Sequence, residues 1–199
     1  MKSTLKIKIT FIEELLGTSS NDPDIQREFI ASKSPDAQTI EDEVAAVGVD
    51  AVVDKGKTVF PRENGKPFMY DYQVKGFFKD ACSSLSRVKD TKSGKMKAYK
   101  KIIDGTIFVG PRKIIINLPD GGVIGSCQRP LRASGPQGER VALANSESIP
   151  AGSSITFDLT LLDDSIEDTV IEWLDYGILR GMGQWRNSGK GRFACEIVN

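Results

Sequence analysis

The sequence predicts an α+β domain built on a βαββαβ core, and three observations lead there. Thr4–Ile12 alternates apolar and polar residues as a half-buried strand does. Residues 70–87 carry apolar side chains at helical spacing. Residues 150–199 read strand, helix, strand, a unit that requires a right-handed crossover within one sheet. The chain has 199 residues, 39% hydrophobic and 27% charged, which is ordinary composition for a single globular domain.

In the first strand Leu5, Ile7, Ile9 and Phe11 share one face, and Glu13-Glu14-Leu15-Leu16-Gly17 ends it. Residues 17–69 are polar and broken by Gly, Pro, Asp and Ser, with one helical patch near Ile40–Val47. A stretch of this kind reads as an inserted loop or lid. The helix follows, with Tyr70, Val74, Phe77, Phe78, Ala81, Cys82 and Leu85 recurring on one side despite Gly76. Apolar runs at Thr106–Val109 and Lys113–Leu118 are split by Pro111. Strand text at Gly125–Ala133 and Arg140–Ala144, around Ser134-Gly135-Pro136-Gln137-Gly138, predicts a long β-hairpin. Ile155, Phe157, Leu159 and Leu161 define the next strand. Ser165, with Asp168 three residues on, then reads as the cap of a helix carrying Ile166, Val170, Trp173, Leu174 and Ile178, which Gly181 stops. Gly191–Val198 is the final strand. The whole is a single domain with a ferredoxin-like (RRM-like) core and large insertions at 17–69 and 88–150.

Histidine is absent, which excludes a Ser-His-Asp triad, a Cys–His pair and any histidine-ligated zinc site. Cys82, Cys127 and Cys195 form no CxxC, and they are expected to be free thiols in a reducing cytoplasm. No apolar run approaches the roughly 18 residues of a membrane span, and no membrane partner or cofactor is expected.

A net charge of zero, from 27 basic and 27 acidic residues, hides strong segregation. Residues 1–56 carry 6 basic and 11 acidic side chains, 57–140 carry 17 and 7, and 141–199 carry 4 and 9. The densest run, Arg87–Lys101, holds seven cations and one acid. Its Lys92, Lys95, Lys97, Lys100 and Lys101 could neutralise phosphates, and Tyr99 could stack on a base. Read without a ligand, the same run is a solvated, mobile loop. Downstream lie Arg112, Lys113, Arg129, Arg132 and Arg140, some of them in strand text that could hold guanidinium forks rigidly.

Between the second helix and the last strand lies Gly181-Met182-Gly183-Gln184-Trp185-Arg186-Asn187-Ser188-Gly189-Lys190-Gly191-Arg192. Its glycines let backbone approach a ligand, Arg186, Lys190 and Arg192 add charge, and Trp185 offers a stacking face. The loop has neither the Walker pattern nor GxGxxG spacing before a helix. A glycine-rich loop at this place in a ferredoxin-like domain resembles the RAMP superfamily, the RNA-binding proteins of CRISPR effector complexes. Pro150–Phe157 resembles that family's Pro-x-Gly-x-x-Phe strand entry, with a residue or two extra before the aromatic. Tyr72–Lys79 resembles its Lys-Gly-containing first helix. The resemblance covers residues 1–16, 70–87 and 150–199, under half of the chain.

The resemblance implies binding to the backbone of single-stranded RNA through Lys75, Gly76, Gly189, Lys190 and Gly191, with Arg186 and Arg192 flanking, and Lys79 is a further candidate contact. It also implies polymerisation of subunits along the strand. Processing endonucleases of the superfamily use a histidine that this chain lacks. Other members cleave through a loop aspartate, and Asp22, Asp24 and Asp36 lie in that region with nothing to select one. The expectation is therefore a non-catalytic protein that binds single-stranded RNA or DNA, with head-to-tail self-association, resembling a stand-alone phage-encoded relative of such subunits. A second reading is a viral inhibitor that imitates a CRISPR subunit and binds the complex or a phage protein through acidic segments, either Glu41-Asp42-Glu43 or Asp163-Asp164 with Glu167, Asp168, Glu172 and Asp175. A third is a metal-dependent nuclease using Asp163-Asp164.

Overall fold

The computed structural model describes residues 3–20, 56–135 and 138–198, with side chains outside 131–142. In chain order the elements are β1 (Ser3–Phe11), β2 (Leu15–Leu16), β3 (Ser19–Ser20), β4 (Thr58–Val59), β5 (Arg62–Glu63), β6 (Lys66–Tyr70), α1 (Asp71–Leu85), α2 (Tyr99–Thr106), β7 (Ile107–Gly110), β8 (Lys113–Asn117), β9 (Gly125–Gly135), β10 (Gly138–Ile149), β11 (Ser154–Leu161), α3 (Glu167–Arg180) and β12 (Phe193–Val198). They form a mixed α/β structure that divides into two compact units. One comprises Met1–Leu15, Pro61–Val123 and Ile149–Asn199, the other Leu16–Phe60 and Ile124–Ser148.

The first unit is a sheet ordered β12-β1-β11-β8-β6-β5, with β7 also on β11. Every registered pair in it is antiparallel: Ile7 faces Phe157 on one side and Ile197 on the other. The alternation in β1 and β11 does what it predicts. Ile7, Ile9, Phe11, Ile155, Phe157, Leu159 and Leu161 are all buried on one face, each contributing about 1.5–3 kcal/mol relative to exposure. Against that face lie the buried stripes of α1 (Val74, Phe77, Phe78, Ala81, Cys82) and α3 (Val170, Trp173, Leu174).

Pro111 interrupts the strand that runs beside β11. Proline cannot donate to a ladder, so β7 pairs with Asp158–Leu161 while the start of β8 peels away to pair with β6, and only Ile116 and Asn117 return to β11. Gly177 sits inside α3 for a packing reason. A Cβ there would overlap the Phe193 ring, which fills the space and meets Phe77 and Phe11 edge-on at 5.1 and 6.3 Å.

The helix entry at Ser165 differs from expectation. A 3₁₀ turn, Asp164–Ile166, precedes α3, so the first donor to satisfy is the Ser165 N–H, and Asp163 accepts it at 3.0 Å. The capping group is therefore Asp163, two residues earlier, in an Asx turn. The Ser165 hydroxyl first, and then its backbone N–H, hold the Asp163 carboxyl below its ordinary range.

The second unit is a sheet ordered β2-β10-β4-β3, with β9 on β10. The hairpin is longer than the sequence suggests, paired from Gly125↔Ser148 to Gly135↔Gly138. Strand pairing extends through serine and glycine because the partner strand supplies the ladder that propensity does not. The 17–69 stretch is not a bare loop either: β3, β4 and β5 lie within it, and β6 begins there. The helical patch near Ile40–Val47 falls outside the described residues.

Candidate nucleic-acid interface

The basic run after α1 is folded and anchored. Lys92–Lys95 form a 3₁₀ turn and Tyr99 begins α2. Ser93 is fully buried. Its hydroxyl accepts from the Trp173 indole N–H at 2.8 Å and donates to Glu172 Oε2 at 3.2 Å. The other oxygen of Glu172 accepts from the Lys92 backbone N–H at 3.1 Å, and Lys92 Nζ pairs with Asp168 at 2.8 Å. Thr91 ties the preceding turn to the end of α1 by donating to the carbonyls of Leu85 and Val88. A buried hydroxyl with donor and acceptor both satisfied fixes its segment in place. The mobile-loop reading of this run therefore does not describe its middle.

On that mount the remaining cations are bare. Arg87, Lys89, Lys95, Lys97, Lys100 and Lys101 are exposed, and among the described residues none has an acidic partner. Tyr99 is half-buried beside them. Lys95 lines a cleft of about 400 Å³ with Asp90, Thr91, Lys92, Ser165, Asp168 and Thr169.

The glycine-rich loop is organised differently, because its cations are already engaged. Arg186 Nη1 donates to Asp80 Oδ2 at 2.6 Å, beside Arg180, which donates to both oxygens of the same carboxylate at 2.8 and 3.2 Å. Lys190 pairs with Glu14 at 2.9 Å, and Arg192 Nε donates to the Ile178 carbonyl at 2.7 Å. Backbone bonds complete the closure: Gly191 N–H donates to the Glu14 carbonyl, and Met182 N–H to the Gly191 carbonyl. Gly191 has φ +71°, and a Cβ there would overlap the Met182 carbonyl oxygen. Trp185 stays 41% exposed and Gly189 has φ +85°.

Burial pushes the Asp80 carboxyl up, but the hydrogen bond from Arg180 and the charges of Arg186 and Arg180 outweigh it and leave the group below its ordinary range. A depressed carboxyl adds stability above the unfolded pKa of about 3.9 and loses it as pH falls through the folded value. Asp80→Asn should therefore cost about 1 kcal/mol at pH 7, discounted for partial solvent screening. The two proteins should converge in acid. Urea unfolding at pH 7 and again below pH 3 checks this, and a gap that persists in acid contradicts it.

The other expected contacts are scattered. On α1, Lys79 pairs with Asp104 at 2.6 Å, and Lys75 reaches the Asp104 carbonyl at 3.5 Å while lying over the Phe108 ring. Gly76 faces open space. Arg112 sits at the β7–β8 break, paired with Asp71 at 2.7 Å. Arg129 is buried in the second unit, where Nη1 donates to Ser146 at 3.0 Å. Arg132 lies on β9 opposite Val141. The structure thus brings together Lys92, Lys95, Lys97, Tyr99, Lys100 and Lys101, and separately the loop set of Trp185, Arg186, Gly189, Lys190, Gly191 and Arg192. Sequence reasoning missed Ser93, Asp80 and Arg180, and named Glu172 only in an acidic cluster and not as the anchor of the basic turn. None carries a local signal because their partners lie about 80 to 106 positions away.

Two glycines should respond oppositely to alanine. Gly191→Ala adds left-handed strain of about 1–2 kcal/mol, which alone lowers thermal unfolding by roughly 2–8 °C at 2–4 °C per kcal/mol, and a backbone collision that lowers it further. Gly76→Ala should instead stabilise α1 by about 0.5–1 kcal/mol. If RNA affinity nevertheless drops in Gly76→Ala, strand backbone approaches the helix there.

No family model matches the chain, and no curated protein matches it. Among solved structures it is similar to a chain of the type III-B Cmr-beta complex bound to cognate target RNA, with a TM-score of 0.56 at 10% identity. The match takes in 100% of this chain and 61% of the other, so this chain spans about three-fifths of the length of that relative. A chain of a type IV-B CRISPR complex overlays with a TM-score of 0.47 at 8% identity, over 98% of this chain and 90% of the other. The fold is accordingly similar to that of a CRISPR-complex subunit. No helix among the described residues is long and apolar enough to cross a membrane.

Proposed function

We propose that the protein is a RAMP-like subunit that binds the phosphate backbone of single-stranded nucleic acid, RNA in preference to DNA, without cleaving it. The strand order β12-β1-β11-β7, with α1 and α3 on one face, supports a ferredoxin-like core. The observation that carries the reading is the group of cations at 87–101, six of which have no acidic partner among the described residues, mounted on the buried Ser93–Trp173–Glu172 contact. Rigid, unpaired cations bind a polyanion with little ordering cost. The glycine-rich loop contributes backbone and the Trp185 face rather than free charge. Neighbouring subunits of an effector complex are the partners that follow.

The acids at the start of α3 have internal roles: Asp163 caps, Glu167 accepts from Ser3, Asp168 and Glu172 hold the basic turn, and Asp175 accepts from the Cys195 thiol. They do not favour the inhibitor reading, and Glu41-Asp42-Glu43 lies outside the described residues. The test is fluorescence anisotropy of a short labelled RNA and its DNA counterpart at two salt concentrations. Submicromolar, salt-steep binding that is tighter for RNA supports the proposal. Absence of binding at low salt overturns it.

A further inference from the structure

The start of α1 and the β7–β8 break carry an arrangement that the basic run does not account for. Tyr70 and Tyr72 stack, with centroids 5.2 Å apart and planes 16° from parallel. The Arg112 guanidinium lies 5.6 Å from the first ring centroid and 5.3 Å from the second. Asp71 holds that guanidinium at 2.7 Å, so its plane is set in advance. Lys113 Nζ lies over Phe68 at 5.4 Å, and Lys75 Nζ over Phe108 at 4.9 Å.

The stack is turned outward. Tyr72 is 47% exposed and the Arg112 side chain 66%. A contact serving only to fasten the β7–β8 break to α1 would gain from burying both rings, yet only Tyr70 is half-buried. The surroundings are cationic. Residues 62–75 and 112–113 supply Arg62, Lys66, Lys75, Arg112 and Lys113 against Asp71 and Glu63, the latter paired with Lys113 at 2.7 Å. A phosphate alone would use the charge and ignore the rings. An apolar side chain would use the rings and bring nothing for the cations. A nucleobase joined to its phosphate uses both, because every base has a π-face and stacks on aromatic rings and guanidinium planes.

We infer that Tyr72, backed by Tyr70 and Arg112, is a stacking platform for one base of the bound strand, with Lys75 and Lys113 beside the flanking phosphates. The inference rests on the proposed polyanion reading and adds a base contact to it. It lies about 22 Å along α1 from Arg87, where the basic run begins, at 1.5 Å per residue. The run's end on α2 comes back beside α1, where Asp104 meets Lys75 and Lys79. A strand touching the platform and the start of the run would therefore follow the length of the helix.

The test compares a labelled oligouridylate with an abasic strand of equal length, which keeps the phosphates and lacks the bases. Tyr72→Leu should weaken the uridylate about 5- to 150-fold, the range of one lost base stack. It should leave the abasic strand and the salt slope unchanged, and Tyr72→Phe should retain wild-type affinity. A uridylate carrying 5-iodouracil should also crosslink to Tyr72 on irradiation. Wild-type affinity in Tyr72→Leu, or equal losses on both strands, overturns the platform while leaving the polyanion reading intact. Failure of wild-type protein to bind either strand at low salt overturns both.

Discussion

Replacing Lys95, Lys97, Lys100 and Lys101 together with glutamate should flatten the salt dependence of RNA binding and weaken it on every sequence alike. Each phosphate contact contributes about 0.7 to the slope of log affinity against log salt for a single strand, so four contacts contribute about 2.8. If that ionic contribution vanishes near 1 M salt, the loss at 0.1 M is on the order of 600-fold. The fold should not suffer, because these side chains are exposed and, among the described residues, unpaired. The unfolding midpoint therefore serves as the control, and affinity measured at several salt concentrations is the readout. An unaltered slope in a folded variant removes the basic run from the interface. Arg186→Gln offers the contrast: its guanidinium belongs to Asp80, so its loss should appear in stability and leave the slope alone.

Much of the first unit is legible in the sequence because its signals are local. The alternation in β1 and β11 and the stripes of α1 and α3 are periodicities that a chain cannot carry without burying one face. Proline at 111 and glycine at 181 mark real ends for steric reasons that need no tertiary context. β6 is illegible for the opposite reason. Lys66-Pro67-Phe68-Met69-Tyr70 is short, contains proline, and becomes a strand through pairing with β8, which lies more than forty positions away.

Charge is the harder case. Counting cations marks 87–101 correctly as the densest run but misjudges what balances it. Asp168 and Glu172, in the acidic C-terminal segment, neutralise and fix Lys92, so part of the segregation seen along the sequence cancels in space. The glycine-rich loop reads as a free basic patch only because its counter-ions, Asp80 and Glu14, lie about 106 and 176 positions away. Its glycines are legible as special, but the reason they are needed differs. Gly191 admits the Met182 carbonyl, a contact within the chain. Residue type predicts which groups can meet a phosphate, and only the fold decides which of them are still available to do so.

Trp173 tests whether the anchor under the basic run matters to binding. The indole is fully buried between α1 and the 3₁₀ turn, 5.7 Å from the Phe78 ring, and its N–H is given to Ser93. Trp173→Ala should cost about 3–5 kcal/mol through the cavity it leaves, out of a typical total near 5–15 kcal/mol. That change mixes packing with positioning, whereas Trp173→Phe separates them. A six-membered ring remains, the donor is lost, and Ser93 can still donate to Glu172, so the expected cost is about 2 kcal/mol, one hydrogen bond plus a small cavity. Ser93→Ala should cost less in that background than alone, because the Trp173–Ser93 hydrogen bond that both changes remove is already lost and no indole N–H is left unsatisfied. The informative readout is local. Amide exchange at Lys92, Gly94 and Met96, whose N–H groups bond Glu172, Thr91 and Ser93, should quicken in Trp173→Phe while the helices exchange as before. RNA affinity should fall a few-fold with the salt slope retained, since the lysines remain but are less well held. Faster exchange without any loss of affinity would mean that a mobile run binds as well as a fixed one. In that event charge density at 87–101, and not its mounting on α3, would govern the interface.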